Sequence, residues 1–271
     1  LVLGVFLGGV ITAIPVVTGV AEGVEFQKKQ NEEAANETRM IKFNILTSCD
    51  ADDELADEVD SGIAILRHDK VWIVPRETKD GKNVPVPPVD DMSPPLHAFA
   101  GFYIQYPDDD RFPPERGLVS TISDDPPMLN WIYCDRTTYE LRYGNRSASI
   151  QHIVGPWDWT EDESCVTLDG FEGFVAVDES SAMSEEAWEQ TAWGREGLRW
   201  AVYFDVDDNG LKGRKGKKST LEVALERKLQ SEEDQLKQLE DANRKMQVKS
   251  QGSMKSQFTA PAADKKRKKV W

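Results

Sequence analysis

Asp205-Val206-Asp207-Asp208-Asn209-Gly210 is the stretch whose residue types and spacing come nearest to a recognisable chemistry. Oxygen donors at alternate positions, then a glycine for a sharp turn, open the loop with which many proteins hold calcium. Asp205, Asp207 and Asn209 are therefore the candidate metal ligands, and calcium the candidate cofactor. Such a loop closes with a bidentate glutamate at its twelfth position, and Gly216 stands there instead. Aspartate and asparagine ahead of glycine are also ordinary turn chemistry. The turn reading is favoured because half of the coordination set is missing. No other cofactor is expected.

Trp157-Asp158-Trp159, with Glu161, Asp162 and Glu163 close behind, is the candidate ligand-binding run. Aromatic platforms and paired carboxylates are what sugar-binding and glycoside-cleaving clefts use. The competing and plainer reading is a packed aromatic corner followed by a solvated acidic loop, since carboxylates abound in this chain. His68, His97 and His152 are the only histidines, and His68, beside Asp69, and His152 could serve as general bases. They show neither metal-ligand spacing nor a neighbouring nucleophile motif. The chain has no GxSxG, no P-loop and no GxGxxG. No catalytic residue is expected, and the balance leans away from an enzyme. Cys49, Cys134 and Cys165 are odd in number, widely spaced and without a CxxC, so free buried thiols are the plainer reading.

Charge divides the chain. Residues 1–211 hold 16 Lys+Arg and 40 Asp+Glu, a net −24, whereas residues 212–271 hold 17 and 8, a net +9. Phosphate contact needs clustered Lys and Arg, so no nucleic acid is expected on the acidic body. Lys265-Lys266-Arg267-Lys268-Lys269 fits a nuclear-import signal, a contact with an anionic surface, or a solvated basic tail.

The elements that must position these residues are mainly strands. Met128 to Asp135 is apolar on both faces, as a strand covered on both sides would be. Tyr139 to Gly144 puts Tyr139, Leu141 and Tyr143 on one face and Glu140 and Arg142 on the other, the period of a half-buried strand. The two read as a hairpin. Phe43 to Ser48, Gly62 to His68, Val71 to Val74, His97 to Tyr106, Val166 to Leu168, Phe171 to Val177 and Arg199 to Asp205 read as further strands, and Ser149 to Val154 as a short one ended by Pro156. Leu221 to Leu225 is paired with Arg199 to Asp205 as a long-looped hairpin. Thr78 to Pro95 reads as an extended proline-rich loop, and Ser184 to Trp193 as one short helix. Residues 42–226 are thus expected to form an antiparallel β-sandwich or barrel of roughly ten strands.

The flanks read differently. Leu1 to Val24 carries no charge before Glu22, long enough to cross a bilayer, with Gly4/Gly8 and Gly19/Gly23 at GxxxG spacing. A membrane helix, a helix packed on protein or on its own copy, and a cleaved signal peptide all fit it. Lys28 and Lys29 favour a cytosolic body by the positive-inside rule. Residues 25–41 read as a polar helical stalk. From Arg227 the period turns helical, with Leu229, Leu236, Leu239 and Met246 at heptad positions over residues 227–247. Residues 248–271 have the composition of a disordered basic tail.

NWIYCDRTTYELRYGNRSASIQHIVGPWDWTEDE resembles a family of fungal proteins with no assigned function. The resemblance extends to the N-terminal glycine-rich segment with GVEFQKKQNEEAANE and to YFDVDDNG, and so covers most of residues 1–230, with Trp157-Asp158-Trp159 its most specific piece. It implies a fungal source and carries over no activity.

Three functions remain in play. The first is a non-enzymatic binding or interaction module, held at a membrane with a cytosolic body, with a nuclear or soluble cytoplasmic protein as the alternative. The second is an enzyme or lectin acting on a small or sugar ligand in the β body. The third is a scaffold that associates with itself or a protein partner through its terminal helices.

Overall fold

The computed structural model of the chain describes residues 39–51, 54–89, 94–124 and 127–230. β1 (Phe43–Ser48) buries Phe43, Ile45 and Leu46. A 3-10 turn over Ala56–Glu58 leads to β2 (Ile63–Arg67). His68 and Asp69, at φ 49° and 59°, then make the two-residue turn whose twist suits a hairpin, and β3 (Lys70–Val74) returns. Asp80 and Gly81, at φ 52° and 76°, do the same between β4 (Arg76–Lys79) and β5 (Lys82–Pro85). Part of the segment expected to be a proline-rich loop is therefore a hairpin, because its Asp-Gly turn outweighs the prolines beyond it.

β6 (Ala100–Gln105), β7 (Arg116–Asp124), β8 (Pro127–Cys134) and β9 (Leu141–Gly144) form an antiparallel meander. β9 then meets β3 through Lys70 and Arg142. That contact closes the order β3-β2-β1-β6-β7-β8-β9 into a seven-stranded barrel, so of the two architectures expected the barrel is the one formed. Closure removes free edges from this part of the sheet. Trp72, Phe43, Phe99, Tyr103, Ile63, Ile65, Leu118 and Ile132 are fully buried in the core that the sheet forms with the elements packed on it, and the Trp72 indole donates to Arg67 O (2.9 Å).

Beyond β9 the chain departs from the expected elements. Asn145 caps α1 (Arg146–Ser149) by accepting from Ala148 N, so the chain enters Ser149 to Val154 as a helix end and turn. Only Ile153 there bridges back, to Cys134. Trp157-Asp158-Trp159 is itself a strand, β10 (Trp157–Trp159), paired with β11 (Val166–Leu168). β12 (Phe174–Asp178) is followed by two helices, α2 (Glu185–Gln190) capped by Ser184 and α3 (Ala192–Arg195) capped by Thr191.

β13 (Trp200–Phe204) lies between β3 and β12 and is buried along its whole length. β14 (Thr220–Glu222) pairs with β12, and β15 (Ala224–Leu229) with β1. The expected hairpin between Arg199–Asp205 and Leu221–Leu225 does not form, because both edges of β13 are already taken. Arg227 to Leu229, expected to start a helix, are strand residues that pair with Phe43 to Ile45. The apolar segment 1–24, most of the stalk, the rest of the polar helix and the basic tail lie outside the described residues. Among those described, no helix is long and apolar enough to cross a membrane.

Candidate functional site

Asp205 follows β13 and its N–H donates to Gly173 O (2.7 Å). Its Oδ2 accepts from the N–H groups of Asn209 (2.8 Å) and Gly210 (2.6 Å), which folds the chain into a tight turn. Asp208 at φ 48° and Gly210 at φ 71° supply the left-handed backbone this turn requires. Asp207 Oδ2 accepts from the Tyr139 hydroxyl (3.0 Å), and Asn209 Oδ1 from Lys212 N (2.8 Å). The three candidate calcium ligands thus turn to three different partners. Among the described residues no group of three or more His, Cys, Asp or Glu could hold a metal ion.

What this turn builds is one wall of a groove. Asp205 and Asp208 line a cavity of about 720 Å³ together with Asp50, Glu172 and Glu222. Among the described residues no Lys, Arg or His lines it. Phe171, Phe174, Leu221 and Val223 supply its apolar lining. Trp157, fully buried, stacks on Phe174 (6.2 Å between centroids, 7° between planes), and Phe204 packs against both Phe174 (5.3 Å) and Phe171 (4.8 Å). Trp157 is therefore a support behind the groove, with no face open to a ligand. Asp205 is 5% exposed, and its Oδ1 is buried without a hydrogen-bond partner.

β14 runs along this groove as the edge of its sheet. Asp178 N donates to Ser219 O (3.0 Å) and Val223 N to Phe174 O (3.1 Å), which sets the register: residues 219, 221 and 223 bond to β12. The N–H and C=O of Thr220 and Glu222 therefore point the other way, and none has a backbone partner among the described residues. Lys215 marks one end of the edge by donating to Thr220 Oγ1 (3.0 Å).

Asp158 and Trp159 serve elsewhere. Asp158 accepts from Arg39 (3.3 Å) and from Arg116, and its carbonyl accepts from the Tyr103 hydroxyl (3.1 Å). The guanidinium carbons of Arg39 and Arg227 lie 4.5 Å and 4.1 Å from the Trp159 ring centre. Two cations already pack on this ring, which leaves less of it to stack on a sugar. Asp162 is held by Thr160 and Ser164, whose hydrogen bonds lower its carboxyl to about 2. The histidines stand apart: His68 by Glu196 (3.1 Å), His97 by Thr121 (3.1 Å), and His152 stacked on Tyr133 (5.0 Å).

One cluster has no signal in the sequence. Lys70 Nζ donates to Glu140 (3.0 Å) and Glu179 (3.4 Å), and Lys218 Nζ to Glu179 (2.7 Å) and Tyr203 Oη (3.2 Å). Tyr203 Oη lies 2.6 Å from Glu179 and 3.1 Å from Glu140. Burial alone would raise the Glu179 carboxyl, but Lys70, Lys218 and the Tyr203 hydroxyl hold it below its ordinary value. Burial, then Glu179 and Glu140, push the Tyr203 hydroxyl far up. The cluster ties β3, β13, the end of β12 and the approach to β14 together, and so fixes the edge strand of the groove.

No curated protein and no solved structure matches the chain. Residues 19–231 match the fungal β-trefoil domain family, a span that takes in the barrel, β12 to β15 and both sequence motifs. A closed antiparallel barrel with added hairpins fits that fold. The fungal source implied by the sequence and this match over most of the chain agree: the chain belongs to the fungal β-trefoil domain family.

Proposed function

We propose that the chain is a non-enzymatic binding module that takes an extended lysine- or arginine-bearing peptide segment along β14, adding it to the sheet as a strand. The observation that carries the reading is the unpaired outer edge of β14 beside five carboxylates and an apolar floor. A sheet edge offers main-chain affinity, and side pockets give the selectivity. Here the N–H and C=O groups of Thr220 and Glu222 are the main-chain contacts. Asp50, Glu172, Asp208 and Glu222 select cationic side chains, and Lys215 repels them from the Thr220 end.

Magnitudes decide which term governs affinity. Four backbone bonds at about 1 kcal/mol each roughly offset the about 2–5 kcal/mol needed to order a short segment. Charge and apolar burial then set the net, and a dissociation constant on the order of 10–100 µM is expected. The test titrates an alternating Lys-Val octapeptide and its Glu-Val counterpart into the full chain by calorimetry. The lysine peptide should saturate, weaken with salt, and lose about fivefold or more in affinity on Glu222→Lys. Equal binding of both peptides, or indifference to Glu222→Lys, would sink the reading.

A further inference from the structure

Around Asp158 the acidic body gathers cations against the general balance of charge. Arg39, Arg116 and Arg227 surround a single carboxylate, Asp158, beside Tyr103 and Trp159. We infer that the cleft between Arg39, Arg116 and Tyr103 is a second binding site, separate from the β14 groove, for a small ligand bearing a phosphate or carboxylate group.

Three observations carry it. First, the charges do not cancel. Asp158 takes one ion pair from Arg39 and one from Arg116, and Arg227 has no carboxylate within ion-pair distance among the described residues. The Arg227 Nη1 donates to the Glu163 carbonyl (2.6 Å), and its guanidinium rests on Trp159 and, at 5.1 Å, on Phe43. Burial lowers its pKa, so the fold holds this cation where water does not compensate it. Second, donors are left over. A guanidinium has five N–H groups, Asp158 uses one from each arginine, and the Nε–H groups of Arg39 and Arg227 are buried without an acceptor. Third, there is room. A cleft of about 360 Å³ opens there, lined by Arg39, Tyr103, Gln105, Glu115 and Arg116 among others. That volume suits a small ligand. Glu115, the one acid among the described residues of the lining, is occupied by Arg111 (2.6 Å).

Asp158 occupies the seat the ligand would share. It pairs with Arg39 and Arg116, two residues that line the cleft, and its side chain is 35% exposed against 32% for Arg116. An oxyanion presents the same forked acceptor geometry to arginine as a carboxylate does. It engages the free donors of Arg39 and Arg116 and displaces Asp158 from them. Trp159, stacked by Arg39 and Arg227, reports the event because any shift of those guanidiniums changes the field at the indole.

The experiment adds sodium phosphate, sodium citrate or sodium chloride at matched ionic strength to the full chain and follows the Trp159 indole resonance, assigned with Trp159→Phe. Saturation with phosphate, with citrate or with both, but not with chloride, supports the site and names its group. Saturation with neither overturns it. Arg116→Gln should weaken binding about tenfold or more, since a hydrogen bond to a charged group is lost. Asp158→Asn should tighten it, since the competing charge is gone. Should Asp158→Asn fail to fold, Arg116→Gln and Arg39→Gln still decide. Unchanged affinity in both arginine variants refutes the assignment.

Discussion

Proline at position 222 separates the two edges of β14 in one substitution. Leu221 and Val223 bond to β12, whereas the Glu222 N–H points outward. Glu222→Pro removes a donor that no residue of the described chain uses and puts a ring where an added strand would lie. Its effect on folding should stay within about 1 kcal/mol, because the inner ladder is untouched and edge strands tolerate proline. Leu221→Pro is the contrast: it breaks the bond to Ala176 and disturbs a side chain 8% exposed. It should cost about 3 kcal/mol or more. For binding the order reverses in meaning. Glu222→Pro loses one backbone bond plus the steric fit, about 1–2 kcal/mol or roughly five- to thirtyfold in affinity. Glu222→Gln removes only the charge and should lose less. Urea denaturation measures the first quantity, and calorimetric titration with the Lys-Val octapeptide the second. Equal destabilisation by Glu222→Pro and Leu221→Pro would refute the register. Equal affinity of Glu222→Pro and Glu222→Gln would refute strand addition.

Acid stability should follow the buried cluster. Glu179, Asp178 and Glu196 have folded pKa values below their ordinary ones, so the unfolded chain binds more protons at low pH; the stability they contribute is full above the ordinary carboxylate pKa and is lost as pH falls through the folded values. Glu179→Gln should cost about 3 kcal/mol at pH 7, since two lysines lose their buried partner, and the difference from the parent should shrink as pH falls below about 4; a constant difference in denaturation from pH 7 to 3 would contradict this. Burial pushes the Cys134 thiol up to about 12 and leaves it 0% exposed, so a thiol reagent at pH 8 should label Cys49 and Cys165 in the native chain and Cys134 only after denaturation. Labelling of Cys134 in the native state, read by mass spectrometry, would mean that the barrel opens. The turn at Asp205 should respond little to calcium: millimolar calcium is expected to move the melting temperature by less than about 1 °C, and a shift of several degrees would restore the metal reading.

Local strands were legible where period and turns agreed. β1, β2, β3, β6 and the β8–β9 hairpin could be read from short apolar runs bounded by polar or turn residues, as at Asp135 to Thr138 between β8 and β9, although the two-residue turn at His68 and Asp69 is hidden because His68 reads as a strand end. Barrel closure could not, because it depends on Lys70 meeting Arg142 across a long stretch of chain. The partner of Leu221 is hidden for the same reason. Its period marked a strand, but only the saturation of β13 by β3 and β12 sends it to the far edge of β12. The groove was half visible. Asp205 stood out through its turn pattern, while Asp50, Glu172 and Glu222 come from separate loops and strands and share nothing in sequence. Trp157 and Trp159, as i and i+2 of one strand, share a face and read as one motif, yet Trp157 packs on Phe174 in the core while Trp159 lies against Arg39 and Arg227, a difference set by what each meets and not by the period.

Amide hydrogen exchange with and without the Lys-Val octapeptide tests the central claim most directly. In the free chain the N–H groups of Leu221 and Val223 should exchange slowly and those of Thr220 and Glu222 quickly, since only the first pair is bonded to β12. On saturation with the peptide, Thr220 and Glu222 should slow by tenfold or more while Leu221 and Val223 stay as they were. Protection that appears elsewhere, with Thr220 and Glu222 still exchanging quickly at saturating peptide, would contradict the account.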